Sequence, residues 1–241
     1  NSIGVGKNLQ DHLMFRPVYK VKNIETLNKK INSVFGKLLI GLEYVFKRKG
    51  PMTMGASQLC GFAKSDPTRD TPNLQFHIQP ISTDKLGGAN LHNFHAFTPT
   101  VANIRPTSRG EITINSSDSK VNPKIKMNYL STDEDRKVAA DGIKLIRKIV
   151  METNEFKKYE PEEFRPGSHL NEKEEIVKAC SHYAQTIFHP VGTCKMGNDE
   201  SAVVSDKLKV HGLNKLRVID ASIMPNITSG NTNAPTIMIA E

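Results

Sequence analysis

Tryptophan is absent from this chain, and aromatic side chains of any kind make up only 6% of it. That scarcity matters because the net charge is +8 and basic pairs occur at Lys29-Lys30 and Lys157-Lys158. Nucleic-acid binders place clustered cations beside stacking aromatics or a recognisable motif, and neither is present. The charge reads as a solvated, slightly basic surface, with no nucleic-acid partner. Cysteine is also scarce: Cys60, Cys180 and Cys194 form no C-x-x-C pair, which excludes a zinc framework and a disulfide scaffold. One disulfide with one free thiol stays open. No apolar run approaches the roughly 20 residues of a membrane span. The greasiest stretch, 34–46, is interrupted by Gly36, Lys37, Gly41 and Glu43.

Several catalytic signatures are missing too. G-x-S-x-G and H-E-x-x-H do not occur, and His182, His189 and Cys194 are poorly spaced for zinc, so no metal site is expected. Gly4-Val-Gly6 is the nearest approach to a dinucleotide fingerprint, but it lacks the third glycine and a helical stripe behind it. With no initiator methionine and a last residue inside an apolar helical run, the sequence reads as an internal fragment, silent on its compartment.

What is present suits a globular fold. Hydrophobic residues make up 37% and charged residues 24% of 241, enough to bury a core without low-complexity runs. Ser131-Thr-Asp-Glu134 reads as a capping box, and Val138, Ile143, Ile146, Ile149 and Val150 continue it as a helix to about Thr153. Asn171 and Glu174 mark a second start, with Ile176, Val177, Cys180, Ala184 and Ile187 as its buried stripe. A third helix over 33–49 stops at Gly50-Pro51. Strand-like runs occupy 14–21, 58–63, 74–79, 96–104, 111–115, 124–127 and 216–219. The class is α+β, with a mostly antiparallel sheet and packed helices.

Two loops carry the candidate chemistry. Thr186-Ile-Phe-His-Pro-Val-Gly-Thr-Cys-Lys-Met-Gly197 holds His189 in a Pro/Gly frame, and Pro190 disfavours helical geometry there, which places the ring just beyond a helix end. An imidazole with a pKa of about 6.5 can take and return a proton at neutral pH. A histidine satisfied by a backbone carbonyl is the alternative. The second loop, Thr228-Ser-Gly-Asn-Thr-Asn-Ala-Pro235, is dense in turn and capping residues. Asn233 reads as an N-cap and Pro235 falls in the first turn of an apolar, buried helix continuing through Ile237, Met238, Ile239 and Ala240. Its amides suit an anion or an electron-rich ring, or form a plain structural cap. Asp220-Ala-Ser222 could offer amides to a phosphate or ribityl chain, or simply form a turn. Asn115-Ser-Ser117 and Asn226-Ile-Thr228 match the glycosylation sequon, the second by chance.

Read together, the motifs resemble the C-terminal half of a glucose–methanol–choline flavin oxidoreductase, in wording nearest the insect-type glucose dehydrogenase branch. The blocks are Gly4-Val-Gly-Lys-Asn-Leu-Gln-Asp-His12, Arg105-Pro-Thr-Ser-Arg-Gly110, Asn128-Tyr-Leu130, Phe188 to Gly197, Arg217 to Pro225 and Ser229 to Glu241. The resemblance implies FAD-dependent oxidation of an alcohol. His189 would accept the hydroxyl proton, and Asn231 would donate to the substrate oxygen. Asp220, Ala221, Asn233, Pro235 and Thr236 would face the cofactor. It further implies that 1–12 belong to an FAD-binding domain, 13–185 to a substrate domain on the antiparallel sheet, and 186–241 to a catalytic, cofactor-contacting return segment. Its partners would be a small alcohol and an electron acceptor, oxygen or a quinone, and family habit suggests secretion. Phe76, His77, Phe94 and Phe97 are candidates for shaping substrate choice. The family's N-terminal dinucleotide motif is absent from this sequence. A non-catalytic truncated relative, acting as a binding or scaffold protein, is the reading from another class.

Overall fold

The computed structural model describes residues 2–55, 57–84 and 90–241. In chain order its elements begin with β1 (Leu13–Phe15), β2 (Val18–Lys20), α1 (Leu27–Asn32), α2 (Val34–Lys47), β3 (Leu59–Ala63), β4 (Leu74–Gln79) and β5 (Ala96–Asn103). There follow β6 (Glu111–Thr113), β7 (Lys124–Lys126), α3 (Asp133–Glu152), α4 (Asn154–Lys157), β8 (Glu162–Arg165), α5 (Lys173–Ser181), β9 (Gln185–Thr186) and α6 (Asn233–Ala240). The chain divides into two compact units. One gathers Asn1–Leu13, Asn103–Arg136 and Thr186–Glu241; the other holds Met14–Ala102 and Lys137–Gln185. These compact units draw their boundaries differently from the three segments expected above, because Asn103–Arg136 clusters with the two terminal segments.

The second unit is sheet-centred. Its strands run in the order β3-β4-β5-β1, with β2 paired to both β5 and β8. The registered pairs are antiparallel: Leu59 to Ala63 lie opposite Ile78 to Leu74, Phe15 opposite Val101, and Tyr19 opposite Phe97. The continuous strand expected over 14–21 is broken in two, because Pro17 between β1 and β2 lacks an amide for the ladder. β5 is buried almost throughout, as a strand covered on both faces must be. α3 supplies one cover. Its Val138, Ala139, Ala140, Ile143, Ile146 and Val150 are all buried. Gly142 permits close approach, since a Cβ there would stand 3.1 Å from a Val101 methyl and 3.4 Å from one of Leu74.

The helix starts differ in detail from their sequence signals. Thr132, one residue after Ser131, caps α3 through its hydroxyl, which accepts from Asp135 N at 3.2 Å. Glu172 rather than Asn171 is the N-cap of α5, and no side chain caps it. α2 begins where expected, with Ser33 Oγ accepting from Gly36 N at 3.3 Å.

The first unit has less regular structure and several small apolar clusters. Val191, Met224 and Ile227 form one; Val203, Val204 and Ile223 form another, and Ile239 of α6 packs against both. Residues 216–219 are not a strand; only an isolated bridge from Lys209 to Arg217 is present there. The three cysteines are free thiols.

Candidate active site

The segment Asn8–His12 organises the two loops singled out by sequence. Gln10 exchanges both backbone hydrogen bonds with Val191, at 3.0 and 2.9 Å. Its side-chain amide donates to Pro225 O at 3.0 Å, while its Oε1 accepts from Ile227 N at 3.1 Å. Asn8 Nδ2 donates to Gly192 O at 3.3 Å and to Pro225 O at 3.0 Å. One short N-terminal segment therefore ties the histidine loop to the loop that follows Asp220. Gly192 makes the approach possible: its φ is +96°, and a Cβ would meet Asn8 O at 2.4 Å. Gly6 permits a similar approach nearer the N-terminus, with φ +81° and the Ile112 carbonyl 2.1 Å from where a Cβ would sit. Gly4 allows close chain packing as well, since a Cβ there would meet the Ser201 carbonyl at 1.9 Å.

Asp11 fixes the backbone of His189. Its Oδ1 accepts from His189 N at 3.0 Å, and its Oδ2 accepts from the Tyr129 hydroxyl and, at 2.5 Å, from Thr186 Oγ1. Burial, and then the bond to Asp11, push the Tyr129 phenol above its usual range. Thr186 Oγ1 also accepts from Phe188 N at 2.9 Å. Phe188 takes a φ of 65°, a left-handed conformation disfavoured for a bulky side chain. His189 thus lies beyond β9 rather than at the end of α5; the helix stops at Ser181, so Ala184 and Ile187 fall outside it.

His189 is 8% exposed, and its ring has a neighbour at each nitrogen. Its Nδ1 lies 3.0 Å from Nδ1 of His12, the rings meeting edge to face with centroids 5.2 Å apart. Its Nε2 lies 3.4 Å from Asn231 Nδ2. Nε2 of His12 lies 3.3 Å from the Ile104 carbonyl. Burial, and then the neighbouring His189, lower the His12 pKa to about 4, against smaller opposing pulls from the Ile104 carbonyl and Asp11. His189 and Asn231 are therefore brought together, as the sequence led us to expect.

Three of the other expected residues follow Asn231 in the chain. Thr232 is the N-cap of α6, not Asn233, which becomes the first helical residue, and no side chain caps this end. Pro235 and Thr236 complete the first turn, with Thr236 Oγ1 donating to Thr232 O at 2.6 Å. α6 is not the buried helix anticipated: Ile237 is 53% and Met238 67% exposed, because the helix meets the two apolar clusters through Ile239. Asp220 Oδ1 accepts from Ser222 N at 2.7 Å and so starts a 3-10 turn over Ala221–Ile223. That is the turn-forming role, and Ala221 packs against the Val191 cluster. Asn226 of the second sequon accepts from Arg109 Nη2 at 3.1 Å. Phe76, His77, Phe94 and Phe97 belong to the other unit, where Phe97 lines an apolar cavity of about 300 Å³ with Val21, Phe156 and Tyr159. Among the described residues no cluster of three His, Cys, Asp or Glu could hold a metal ion, and no helix is long and apolar enough to cross a membrane.

Sequence reasoning missed the roles of Asn8, Gln10, Asp11 and His12. Their signal was a polar run set directly before the apolar Leu13-Met-Phe15, too polar for a strand core unless every group is bonded.

A family model described as GMC oxidoreductase matches residues 106–240. The alcohol dehydrogenase [acceptor] of Pseudomonas putida is 44% identical over 238 residues, covering 98% of this chain and 43% of that protein. An oxygen-dependent choline dehydrogenase of Proteus mirabilis is 41% identical, covering 99% and 42%. Among solved structures, an Aspergillus oryzae formate oxidase studied for FAD modification superposes with a TM-score of 0.88 at 26% identity, covering all of this chain and 46% of that one. The chain spans under half the length of the relatives it matches.

Proposed function

From the premise that this chain belongs to the GMC oxidoreductase family, we propose that it carries the catalytic half of an FAD-dependent alcohol-oxidising enzyme. The observation that carries this reading is the convergence of His189 Nε2 and Asn231 Nδ2 at 3.4 Å, beside the uncapped start of α6. That constellation fits a flavin. The open amides of α6 suit the electron-rich end of the ring, and Phe188, at 68% exposure, offers apolar surface for a flat partner. Asn233, Pro235, Thr236 and the turn at Asp220-Ala221 are the residues that would hold it.

FAD, when bound, supplies the hydride acceptor. His189 takes the hydroxyl proton of the substrate, which concentrates negative charge on the oxygen and weakens the neighbouring C–H bond toward hydride loss. Asn231 donates to that same oxygen and restrains its position. Asp11, through the backbone amide, keeps the His189 loop from drifting. The expected segments 1–12 and 186–241 act together in this reading, and 13–185 is the proposed substrate domain.

The substrate class is a primary or secondary alcohol, sugars included. Wording near the insect-type glucose dehydrogenase branch supports a sugar, whereas the relatives named above are alcohol and choline dehydrogenases. One of those names specifies oxygen and the other only an acceptor, so both oxygen and a quinone stay within the proposal. The test is spectroscopic: the protein carrying this chain should show a flavin band, and a panel of small alcohols should bleach it anaerobically. A protein without the band would return us to a non-catalytic binding role; a band that no alcohol bleaches would remove the proposed reaction.

A further inference from the structure

We infer that His12 is a positioning residue that sets the tautomer of His189, keeping the lone pair on Nε2, the atom facing Asn231. The inference rests on the reading of His189 as proton acceptor and adds to it which nitrogen accepts and why. The Ile104 oxygen can only accept, and it faces His12 Nε2 at 3.3 Å, so that nitrogen carries the hydrogen. The His12 ring is wholly buried, and it is neutral at neutral pH. A neutral imidazole has one donor and one acceptor, so His12 Nδ1 is the acceptor. The atom 3.0 Å away from it is His189 Nδ1, which must then be the donor. The remaining nitrogen of His189, Nε2, is left with its lone pair.

The other side of the ring agrees with this assignment. A carboxamide NH2 group can only donate, and Asn231 Nδ2 faces His189 Nε2 at 3.4 Å. Asp11 is the charged group adjacent to the pair, and its oxygens are engaged by His189 N, Tyr129 and Thr186. The opposite tautomer of His189 would present a hydrogen where the substrate proton has to go. A relay from carbonyl to His12 to His189 thus does for this base what an orienting partner does for a catalytic histidine in general.

Nitrogen-15 spectra of the FAD-loaded protein carrying this chain, labelled at histidine, test the assignment. His189 is identified by difference against His189→Asn. At pH 7.5 its Nδ1 is expected in the protonated range and its Nε2 in the unprotonated range. His12→Leu removes the acceptor, so His189 should populate both tautomers and the rate of flavin reduction should fall about tenfold or more. His12→Asn puts a carbonyl oxygen near the lost Nδ1 and should restore the single tautomer and most of the rate. A protonated Nε2 in the unsubstituted protein overturns the inference, and this reading stands even if the leucine variant fails to fold. So does a folded His12→Leu protein with an unchanged tautomer, although His189 would still be the base. Conversely, the expected spectrum combined with full activity in His189→Ala would sink the base while leaving the tautomer assignment intact.

Discussion

His189 Nε2 and Asn231 Nδ2 lie 3.4 Å apart, though 42 positions separate the two residues in the chain. In the proposed function both groups act on the same substrate oxygen, and the effects of residues this close should not add. Asn231→Ala is expected to slow flavin reduction about tenfold and raise KM. In the double variant with His189→Ala, the further loss from removing Asn231 should nearly vanish. Fully additive losses would show that the two side chains work on separate steps.

Gln10 is the mechanical link between the histidine loop and Pro225–Ile227. Gln10→Ala strands a buried amide at Ile227, leaves the Pro225 carbonyl to Asn8 alone, and should cost about 1–3 kcal/mol in denaturant unfolding. A change within about 0.5 kcal/mol would mean the loops are held by other contacts.

His12 makes stability depend on pH with a definite sign. Its folded pKa, about 4, lies below the unfolded value of 6.5. The unfolded chain therefore binds the proton first as pH falls, so this contribution is complete above 6.5 and is lost on descent toward 4. Replacing His12 by Asn should flatten the loss between pH 7.5 and 4.5 by on the order of 2–3 kcal/mol. Identical pH slopes in both proteins would contradict the burial argument.

In the sheet-centred unit, Arg147 grips Glu163 with two bonds of 2.8 Å, and Tyr19 donates to the same carboxylate at 3.3 Å. Glu163→Ala leaves the guanidinium without its counter-charge and should cost about 3–5 kcal/mol. The double change Arg147→Met, Glu163→Leu should recover most of that loss. If the double variant is as unstable as the single one, packing rather than the stranded charge is responsible.

The sequence was legible where local pattern and tertiary demand agree. Leu74–Gln79 emerges with the bounds its alternation suggests, and α2 starts at its Ser33 cap. Leu216 to Ile219 misled because β-branched residues signal a strand only when a partner strand is available, and here one bridge is all that forms. α6 misled because uniform apolarity does not say which face packs. His189 and Asn231 stood out through the loops that hold them. His12 did not, because its role depends on a partner 177 residues away, and no local spacing encodes that.

The most direct test of the account is the anaerobic rate of flavin reduction by a substrate alcohol, measured by rapid mixing in the parent protein and in His189→Ala. A loss of at least about a hundredfold, with the flavin spectrum intact, is the predicted result. A variant that reduces its flavin at the parental rate would show that the proton leaves by another route.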